Sequence, residues 1–393
     1  MRNRFLPYSQ PAIGEEEVAE VVDCLRSGWI TTGPRVQRFE AEFATWSGAE
    51  RAVALSSCTA ALHLALTVLG LGKGSSVISS TFTFCSSIHV IEHVGSHPVL
   101  VDVDPLTLNI DPVQVERAAA ESNVKAVLPV HLYGHPCDMD ALRAVAEQRR
   151  LALVEDAAHA LGARYRGRLI GGRGWGVGSD ANLVAFSFYA TKNLTTAEGG
   201  MLTGPAELVE AARLWSLHGM SRDAYLRYSA QGEWHYDVVA PGFKYNMTDI
   251  QAALGLVQLR RFAAMQERRT TIAQAYTAAF NQFEEITPPP ERLEVDHAWH
   301  IYSIRLNLDQ LRIDRGQFIN ELKRRNIGTS VHFIPIHLHR YYREKYGLRP
   351  EDFPVATREY ERIVSLPLHP GLSDGDVQDV IQAVEDVIRF NRR

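Results

Sequence analysis

Residues 51–81 read RAVALSSCTAALHLALTVLGLGKGSSVISST, and this stretch decides the expected fold. RAVALSS and SSVISST are short β-rich runs, and between them TAALHLALTVLG has the apolar spacing of a helix. The apolar residues of the two runs are continuous and do not alternate with polar ones, which is typical of strands covered on both faces. A strand, a helix and a second strand in this order predict parallel pairing within one sheet.

The same alternation continues along the chain to about residue 188. Further strand candidates are HPVLVDVD, VKAVLPVHLYG, LALVEDAA and NLVAFSF, at residues 97–104, 124–134, 151–158 and 182–188. A helical pattern, CDMDALRAVAEQRR, lies between the second and the third of these. The prediction is an α/β fold with a mainly parallel sheet sandwiched by helices.

A different pattern follows in the last third of the chain. A long helix is predicted to begin near Thr248, because TDIQ is a capping box and apolar residues continue at helical spacing toward Phe280. Three prolines in TPPPER then interrupt the chain. Beyond them, a strand-like WHIYSIRLNL, a helix RGQFINELKRRN, a second strand TSVHFIPIH and a helix opened by SDGD predict a smaller α+β unit. We place the domain boundary in the long helix, with a large domain at 1–260, including the N-terminal segment, and a small one at 261–393.

Composition excludes several classes of function. The 393 residues are 46% hydrophobic and 22% charged, with a formal net charge of −5 and no block of Lys or Arg, which argues against nucleic-acid binding. The four cysteines are scattered, as in a protein of a reducing compartment. The N-terminal residues lack an apolar core of signal-peptide length, and no apolar run is long enough to span a membrane. We therefore expect a cytoplasmic protein that does not enter a membrane.

Ligands bind at the carboxyl ends of parallel strands. Two of the strand candidates have residues there that could bind a ligand. After the first, Ser57 and Thr59 lead into a helix, whose start is a site for phosphate. The alternative is that they only cap this helix, and on this segment alone that alternative is favoured. Asp156 ends a later strand candidate, with His159 three residues on. Its carboxylate either has a compensating partner or caps the next helix, and neither possibility is favoured.

A lysine follows the last strand candidate in FSFYATKNLTTAEGG, residues 186–200. Tyr189 and Lys192 are the only ionisable side chains between residues 181 and 197. Such surroundings disfavour an ammonium and lower the pKa of Lys192 toward that of a usable nucleophile. The alternative is a lysine whose stem packs while its head reaches water, and TTAEGG offers no polar face for it to reach.

Together these segments match the needs of pyridoxal phosphate. The helix start would hold its phosphate, Lys192 would form a Schiff base with its aldehyde, and Asp156 would keep the pyridine nitrogen protonated. Phe84, in TFTFCSS, offers an apolar face that could stack on the ring.

With these residues in view, the chain resembles the DegT/DnrJ/EryC1/StrS sugar aminotransferases, pyridoxal phosphate enzymes of fold type I. The resemblance runs through SGWITTGP, SSCTAALHLAL, PVHLYGHPCDMD, EDAAHALGA, FSFYATKNLTTAEGG, APGFKYNMTDIQAALGL and HAWHIYSIRL. It is strongest toward UDP-4-amino-4-deoxy-L-arabinose aminotransferases and related 4-keto-sugar enzymes. It implies transfer of an amino group, usually from glutamate, to a keto-sugar carried on a nucleoside diphosphate.

The resemblance also implies roles for individual residues. Lys192 and Asp156 match the catalytic pair, and His159 falls near the position of the cofactor's ring hydroxyl. The positions that match the family's phosphate-binding residues are Thr59, Ala60, Ser187 and Asn246. The last of these reaches the phosphate of the neighbouring subunit, which implies a homodimer with shared active sites.

The resemblance also points to the substrate side of the site. Tyr189, where many relatives have histidine, and His332 are expected substrate contacts. Cys58 stands where relatives have glycine or alanine. Lys192 argues against a dehydratase branch of the family, which has histidine instead.

Two other patterns suggest different functions, but neither of those functions is favoured. GGRGWGVGSD, residues 171–180, looks like a dinucleotide loop but precedes a strand, so a structural turn is favoured. His332, His337 and His339 lack the spacing of a metal site, and we expect no metal. The alternatives to a nucleotide-sugar C4 aminotransferase are an aminotransferase for a keto-cyclitol or a C3-keto-sugar, another pyridoxal phosphate enzyme such as a lyase, and a non-catalytic regulator with the same fold.

Overall fold

The computed structural model of the chain describes residues 2–173, 182–221 and 235–393. Its strands are β1 Arg51–Leu55, β2 Ser76–Ser80, β3 His97–Val101, β4 Val124–Leu128, β5 Ala152–Asp156, β6 Arg164–Tyr165, β7 Arg168–Leu169, β8 Asn182–Ser187, β9 Gly200–Gly204, β10 Ile286–Thr287, β11 Val295–Asp296, β12 Tyr302–Leu306 and β13 Ile363–Leu366.

The α-helices are α1 Glu15–Arg26, α2 Pro34–Ser47, α3 Cys58–Val68, α4 Ser86–His93, α5 Pro112–Ala118, α6 Met139–Arg149, α7 Ala206–Ser216, α8 Asp249–Phe280, α9 Arg315–Arg324, α10 Arg340–Tyr346, α11 Pro354–Arg362 and α12 Asp374–Asn391. Short 3₁₀ turns lie at Leu132–Gly134, Leu308–Gln310, Ile336–Leu338 and Pro350–Asp352.

The main sheet has seven strands in the order β1-β9-β8-β5-β4-β2-β3. The pairs β2–β3, β2–β4, β4–β5 and β5–β8 are parallel, whereas β9 runs antiparallel to both β1 and β8. One buried apolar cluster joins the sheet to α2, α5, α6 and α8, and a second joins it to α3, α4 and α7. Helices therefore cover both faces, and the predicted α/β class with a mainly parallel sheet is confirmed.

The predicted strands of the main sheet all form, and one strand was not predicted. The six runs named from the sequence contain β1, β2, β3, β4, β5 and β8. Strand β9, with the sequence GMLTG, was not among the predicted strands. It fills the place between β1 and β8, where no predicted strand was available.

The C-terminal part differs from its prediction at one strand. The run TSVHFIPIH, residues 329–337, forms no strand, because only Ser330 makes a bridge, to Ser365. Strand β12 pairs instead with β13 on one side and with the short β10 on the other, and the sequence analysis missed both. The predicted strand at 329–337 is therefore wrong, and the segment runs across the molecule to pack at the carboxyl end of β2, where the Ile336 N–H donates to Thr81 O at 2.7 Å.

The long helix begins as predicted. Thr248 Oγ1 accepts from the Gln251 N–H at 3.4 Å, and Gln251 Oε1 accepts from the Thr248 N–H at 3.0 Å, which closes the capping box. Phe262 of this helix packs in the core of the main sheet, whereas Ile272 packs with β12 and the C-terminal helices. Leu6 packs in that second core too. The domain boundary at 260 stays a prediction, and this division of the helix supports it.

Two expectations concern features outside the sheets. Residues 174–180 of the glycine-rich GGRGWGVGSD lie outside the described residues, so the expected turn is not tested there. Within the described ranges, no helix has both the length and the apolarity needed to cross a membrane.

Candidate active site

A cavity of about 390 Å³ lies at the carboxyl ends of β5 and β8. Asp156 and Ser187 are the last residues of these two neighbouring strands. Eight of the ten residues predicted for the site line the cavity: Thr59, Phe84, Asp156, His159, Ser187, Tyr189, Lys192 and His332. The chain thus brings together side chains that lie up to 273 positions apart, from 59 to 332.

Asp156 is buried at the floor of this cavity. Its Oδ2 accepts a hydrogen bond from the Ser87 hydroxyl at 2.8 Å, and its Oδ1 accepts one from the Ala158 N–H at 3.1 Å. Burial raises the pKa of the Asp156 carboxyl, although both hydrogen bonds favour the charged form. Among the described residues no cationic side chain lies within ion-pair distance of it, so a positively charged ligand atom would be a favourable partner.

Lys192 faces the same cavity from the turn after β8. The turn is closed by the Lys192 N–H, which donates to Tyr189 O at 2.9 Å. The surrounding protein desolvates the ammonium and lowers the pKa of Lys192 to about 8. No carboxylate of the described residues lies within ion-pair distance of its amine, so a substantial fraction is neutral near that pH and can act as a nucleophile.

The start of α3 forms another wall of the cavity. Ser57 is the N-cap, and its hydroxyl accepts from the Ala60 N–H at 3.1 Å. The capping alternative therefore describes Ser57 correctly. Thr59 is exposed to the cavity, but Ala60 is buried and does not line it.

Aromatic rings surround the mouth of the cavity. The exposed Phe84 ring lies 5.7 Å from that of Phe333, and the Phe333 ring stacks on His159 at 5.6 Å with an interplanar angle of 18°. The ring of Tyr189 is about half exposed, with a relative exposure of 47%. These apolar faces could hold a flat heteroaromatic ring.

Asn246 does not belong to the cavity of its own chain. It bridges Leu55 through the backbone, and its Nδ2 donates to Thr32 Oγ1 at 2.6 Å. Its predicted role toward a neighbouring subunit is not tested by a single chain.

Three residues of the site were missed by the sequence analysis. Ser87 lies in TFTFCSS, at the start of α4, and its hydroxyl seven residues beyond the end of β2 was the available signal. His300 lines the cavity with its ring centroid 4.6 Å from that of His159. Tyr133 donates its backbone N–H to His159 Nδ1 at 3.2 Å, and nothing in the sequence indicates this contact.

Two of the three histidines discussed as possible metal ligands, His332 and His337, have hydrogen-bond partners within the protein. His332 Nδ1 lies 2.9 Å from Ser365 Oγ, and His337 bonds the hydroxyls of Thr81 and Thr357 at 2.7 and 2.8 Å. No group of three His, Cys, Asp or Glu side chains in the described parts of the chain could hold a metal ion.

The residues of the cavity fit pyridoxal phosphate. A buried carboxylate without a cationic partner matches a protonated pyridine nitrogen, and an amine with a lowered pKa matches the aldehyde. Exposed hydroxyls at a helix start match the phosphate, and the ring faces match the pyridine. Fold and cavity thus define a pyridoxal phosphate-dependent transferase of fold type I.

Comparison with known proteins defines the family within that class. The model of the DegT/DnrJ/EryC1/StrS aminotransferase family matches residues 11–385, and the chain belongs to this family of pyridoxal phosphate-dependent sugar aminotransferases. The chain is 51% identical, over 99% of its length and 98% of the relative's, to the spore coat polysaccharide biosynthesis protein SpsC of Bacillus subtilis strain 168.

Solved structures of two other proteins show how closely the fold agrees. Spr1654 of Streptococcus pneumoniae, solved in PMP and PLP forms, is 37% identical with a TM-score of 0.90, covering 98% of this chain and 99% of that one. PseC of Helicobacter pylori, an aminotransferase involved in the biosynthesis of pseudoaminic acid, is 26% identical with a TM-score of 0.89, covering 99% and 100%. The predicted family and cofactor are confirmed.

Proposed function

We propose that this sugar aminotransferase moves an amino group from an amino acid, L-glutamate, to C4 of a keto-sugar linked to a nucleotide. The observation that carries the transfer chemistry is the shared cavity of Lys192 and Asp156 at the ends of two adjacent parallel strands. Similarity to SpsC, a spore coat polysaccharide biosynthesis protein, and to Spr1654, a sugar aminotransferase by its description, supports a sugar as the acceptor.

Bound pyridoxal phosphate would supply an aldehyde carbon for the amino group and a ring that accepts electrons from the substrate carbon. Asp156 would hold the ring nitrogen through its buried carboxylate, which Ser87 orients through the 2.8 Å hydrogen bond. Thr59 and Ser187 would hold the phosphate, together with Asn246 of a second copy of the chain. Ala60 does not line the cavity and its N–H already donates to the Ser57 hydroxyl, so its part in holding the phosphate would be to position the start of α3.

Lys192 has two tasks in this proposal. Its amine would hold the cofactor covalently, and its Nζ would carry the proton that the transfer of an amino group has to move. A pKa of about 8 suits both tasks, because the amine is then able to give and to take a proton near neutral pH. The ring face of Phe84 would keep the cofactor plane in position and exclude water.

The substrate side of the cavity is formed by Tyr189 and His332. Tyr189 stands half exposed at the mouth, where a sugar or nucleotide would pass. Burial and the charge of Lys192 lower the pKa of His332 to about 4, so its imidazole is neutral and can bond a sugar hydroxyl. The homodimer and the cytoplasmic location stay predictions, and Asn246 is the residue that connects the dimer to the site.

The test is a half-reaction followed by a substrate screen. L-Glutamate should bleach the visible absorbance of the bound cofactor and release 2-oxoglutarate, and a non-catalytic regulator would show neither. UDP-, dTDP- and GDP-linked 4-keto-sugars are then added to the aminated form. Return of the absorbance with one of them supports the proposal. Return with a keto-cyclitol or a 3-keto-sugar but with no 4-keto-sugar would overturn the acceptor we propose.

A further inference from the structure

Two histidines of the cavity, His159 and His300, face each other with ring centroids 4.6 Å apart. Their relative exposures are 6% and 8%, so both side chains are more than nine-tenths buried. Burial, reinforced by the charge of Lys192, lowers the pKa of both imidazoles well below its usual value. Each ring is therefore neutral and carries a single proton, on either Nδ1 or Nε2. The nitrogen that carries the proton donates a hydrogen bond, and the other nitrogen accepts one.

The backbone of Tyr133 fixes the proton of His159. The Tyr133 N–H lies 3.2 Å from His159 Nδ1. A backbone N–H can only donate, so Nδ1 must accept and the proton of the neutral ring lies on Nε2. Tyr133 has a left-handed backbone, with φ of 62°, in the turn after β4.

Tyr133 also holds the two other histidines of the cavity. Its carbonyl oxygen accepts from the backbone N–H groups of His300 and Ile301 at 3.1 and 3.2 Å. Its phenol donates to the carbonyl oxygen of His332. One buried residue thus fixes a ring nitrogen of His159 and the backbone on which His300 and His332 are mounted.

Asn193, the residue after the reactive lysine, fixes the proton of His300. Its Nδ2 donates to Ala298 O at 2.7 Å and to Gln266 Oε1 at 3.2 Å, so its Oδ1 must be the atom that lies 3.0 Å from His300 Nδ1. The amide oxygen can only accept, and Nδ1 of His300 therefore carries the proton. Nε2 of His300 is left as an acceptor. The orientation of Gln266 agrees, because its Nε2 donates to His297 O at 3.5 Å.

We propose that Tyr133 and Asn193 are positioning residues that set opposite tautomers on the two histidines. The cavity wall beside Lys192 then presents a donor at His159 Nε2 and an acceptor at His300 Nε2. Neither of these atoms has a protein hydrogen-bond partner in the part of the chain that the structure describes. A hydroxyl group, which accepts one hydrogen bond and donates another, satisfies such a pair.

The identity of that hydroxyl rests on the proposed function, whereas the tautomers do not. With a sugar acceptor and pyridoxal phosphate in one cavity, the hydroxyl belongs either to the sugar or to the cofactor ring. A ligand that covers both Nε2 atoms and has no hydroxyl at this place would leave a donor and an acceptor unpaired, which is a strong basis for discrimination.

The tautomers are measured directly by long-range ¹H–¹⁵N correlation NMR on full-length protein labelled with ¹⁵N-histidine and purified without cofactor. The expected result is a proton on Nε2 of His159 and on Nδ1 of His300 at neutral pH. His159→Gln and His300→Gln each remove one spin system and thereby assign the two signals. The same tautomer on both rings, or a doubly protonated ring, would overturn the proposal.

Two other histidines serve as internal references. His297 Nδ1 lies 2.8 Å from the Trp299 N–H, so its proton is expected on Nε2. His135 Nδ1 lies 2.8 Å from Pro136 O, so its proton is expected on Nδ1. If these two do not show opposite tautomers, the hydrogen-bond pattern on which the proposal depends is wrong.

Two variants separate positioning from general loss of structure. Asn193→Ala removes the acceptor and should move the proton of His300, or mix its tautomers, while His159 stays unchanged. Tyr133→Phe removes only the phenol and keeps the backbone N–H, so it should leave the proton of His159 on Nε2. A Tyr133→Phe protein with a changed His159 tautomer, or a folded Asn193→Ala protein with His300 unchanged, would refute the assigned causes. If Asn193→Ala fails to fold, the wild-type spectrum alone decides.

The source of the hydroxyl is decided by adding ligands to the wild-type protein. A shift of the His159 and His300 Nε2 signals with pyridoxal 5′-phosphate alone assigns the hydroxyl to the cofactor. A shift that appears only after UDP-N-acetylglucosamine is added assigns it to the sugar nucleotide. Signals unmoved by either would overturn the ligand part of the proposal while leaving the glutamate half-reaction, and hence the proposed function, independently testable.

Discussion

The hydroxyl of Ser87 is predicted to tune the acidity of Asp156. It donates to Asp156 Oδ2 at 2.8 Å, in a place where burial already raises the pKa of that carboxyl. Ser87→Ala removes this hydrogen bond, which stabilises the fold by about 1.5–3 kcal/mol when the Asp156 carboxyl is charged and by about 0.5–1.5 kcal/mol when it is neutral. This difference of about 1–1.5 kcal/mol raises the pKa of Asp156 further in the variant.

The assay is urea unfolding of the cofactor-free protein over a range of pH. A carboxyl whose pKa is raised by folding binds more protons in the folded state, so its contribution to stability falls as pH rises from the ordinary value of 3.8 through the raised one. Ser87→Ala raises the pKa of the folded state further, so the pH range over which stability falls extends to higher pH. The free energy of unfolding should therefore be reduced by about 1 kcal/mol more at a pH above the raised pKa than at a pH below the ordinary value of 3.8.

Ser79→Ala is the matched control for this prediction. Ser79 is fully buried on β2, and its hydroxyl donates to Leu128 O at 2.7 Å, to a group that does not titrate. Its loss should cost about 0.5–1.5 kcal/mol at every pH. A Ser87→Ala deficit that is as independent of pH as that of Ser79→Ala would show that Ser87 does not act on the charge of Asp156.

Three further predictions concern the lysine and the sheet beside it. Lys192→Ala should abolish turnover and leave the circular dichroism spectrum unchanged, and repeated turnover by this variant would refute the assigned role. In cofactor-free protein, covalent labelling of Lys192 by an aldehyde should accelerate with pH and be half-maximal near pH 8, because only the neutral amine reacts; labelling that does not change across that pH refutes the lowered pKa. Gly200→Ala should cost about 1–3 kcal/mol in urea unfolding, because its Cβ would lie 2.5 Å from the carbonyl carbon of Ser57 and 2.6 Å from the nitrogen of Cys58. Gly375→Ala, on α12 with no contact closer than 3.7 Å, should be neutral or stabilising, and equal effects of the two glycine variants would contradict the steric argument.

Gly200 also explains why the sequence analysis missed strand β9. Glycine is depleted in strands, and GMLTG has one at each end, so the segment has the composition of a turn. In the structure the first glycine is required because the start of α3 approaches the strand there. Gly200 therefore lets α3 contact the strand, and the same glycine makes the strand hard to predict from local composition.

The wrong strand in the C-terminal part has a related cause. Residues 329–337 and residues 363–366 are both apolar runs able to pair with β12, and local sequence does not choose between them. The structure pairs β12 with β13 and uses the first run to bring His332 to the cavity. The histidine was identified, but the element that carries it was not, because its path is set by packing against β2 and β13.

The site divides in the same way between predictable and unpredictable residues. Lys192 and Asp156 could be found because their chemistry is unusual for their local surroundings: Asp156 ends a recognisable strand, and Lys192 lies five positions beyond the end of another. Their partners are ordinary residues whose significance is spatial: Ser87 lies 69 positions from Asp156, and His300 lies 107 from Asn193. Two chains could therefore share the same lysine and aspartate and still differ in the charge of the aspartate or in the hydroxyl they accept. Differences in substrate within such a family are then best sought among the residues that hold the catalytic groups, and the tautomers of His159 and His300 are the most direct place to begin.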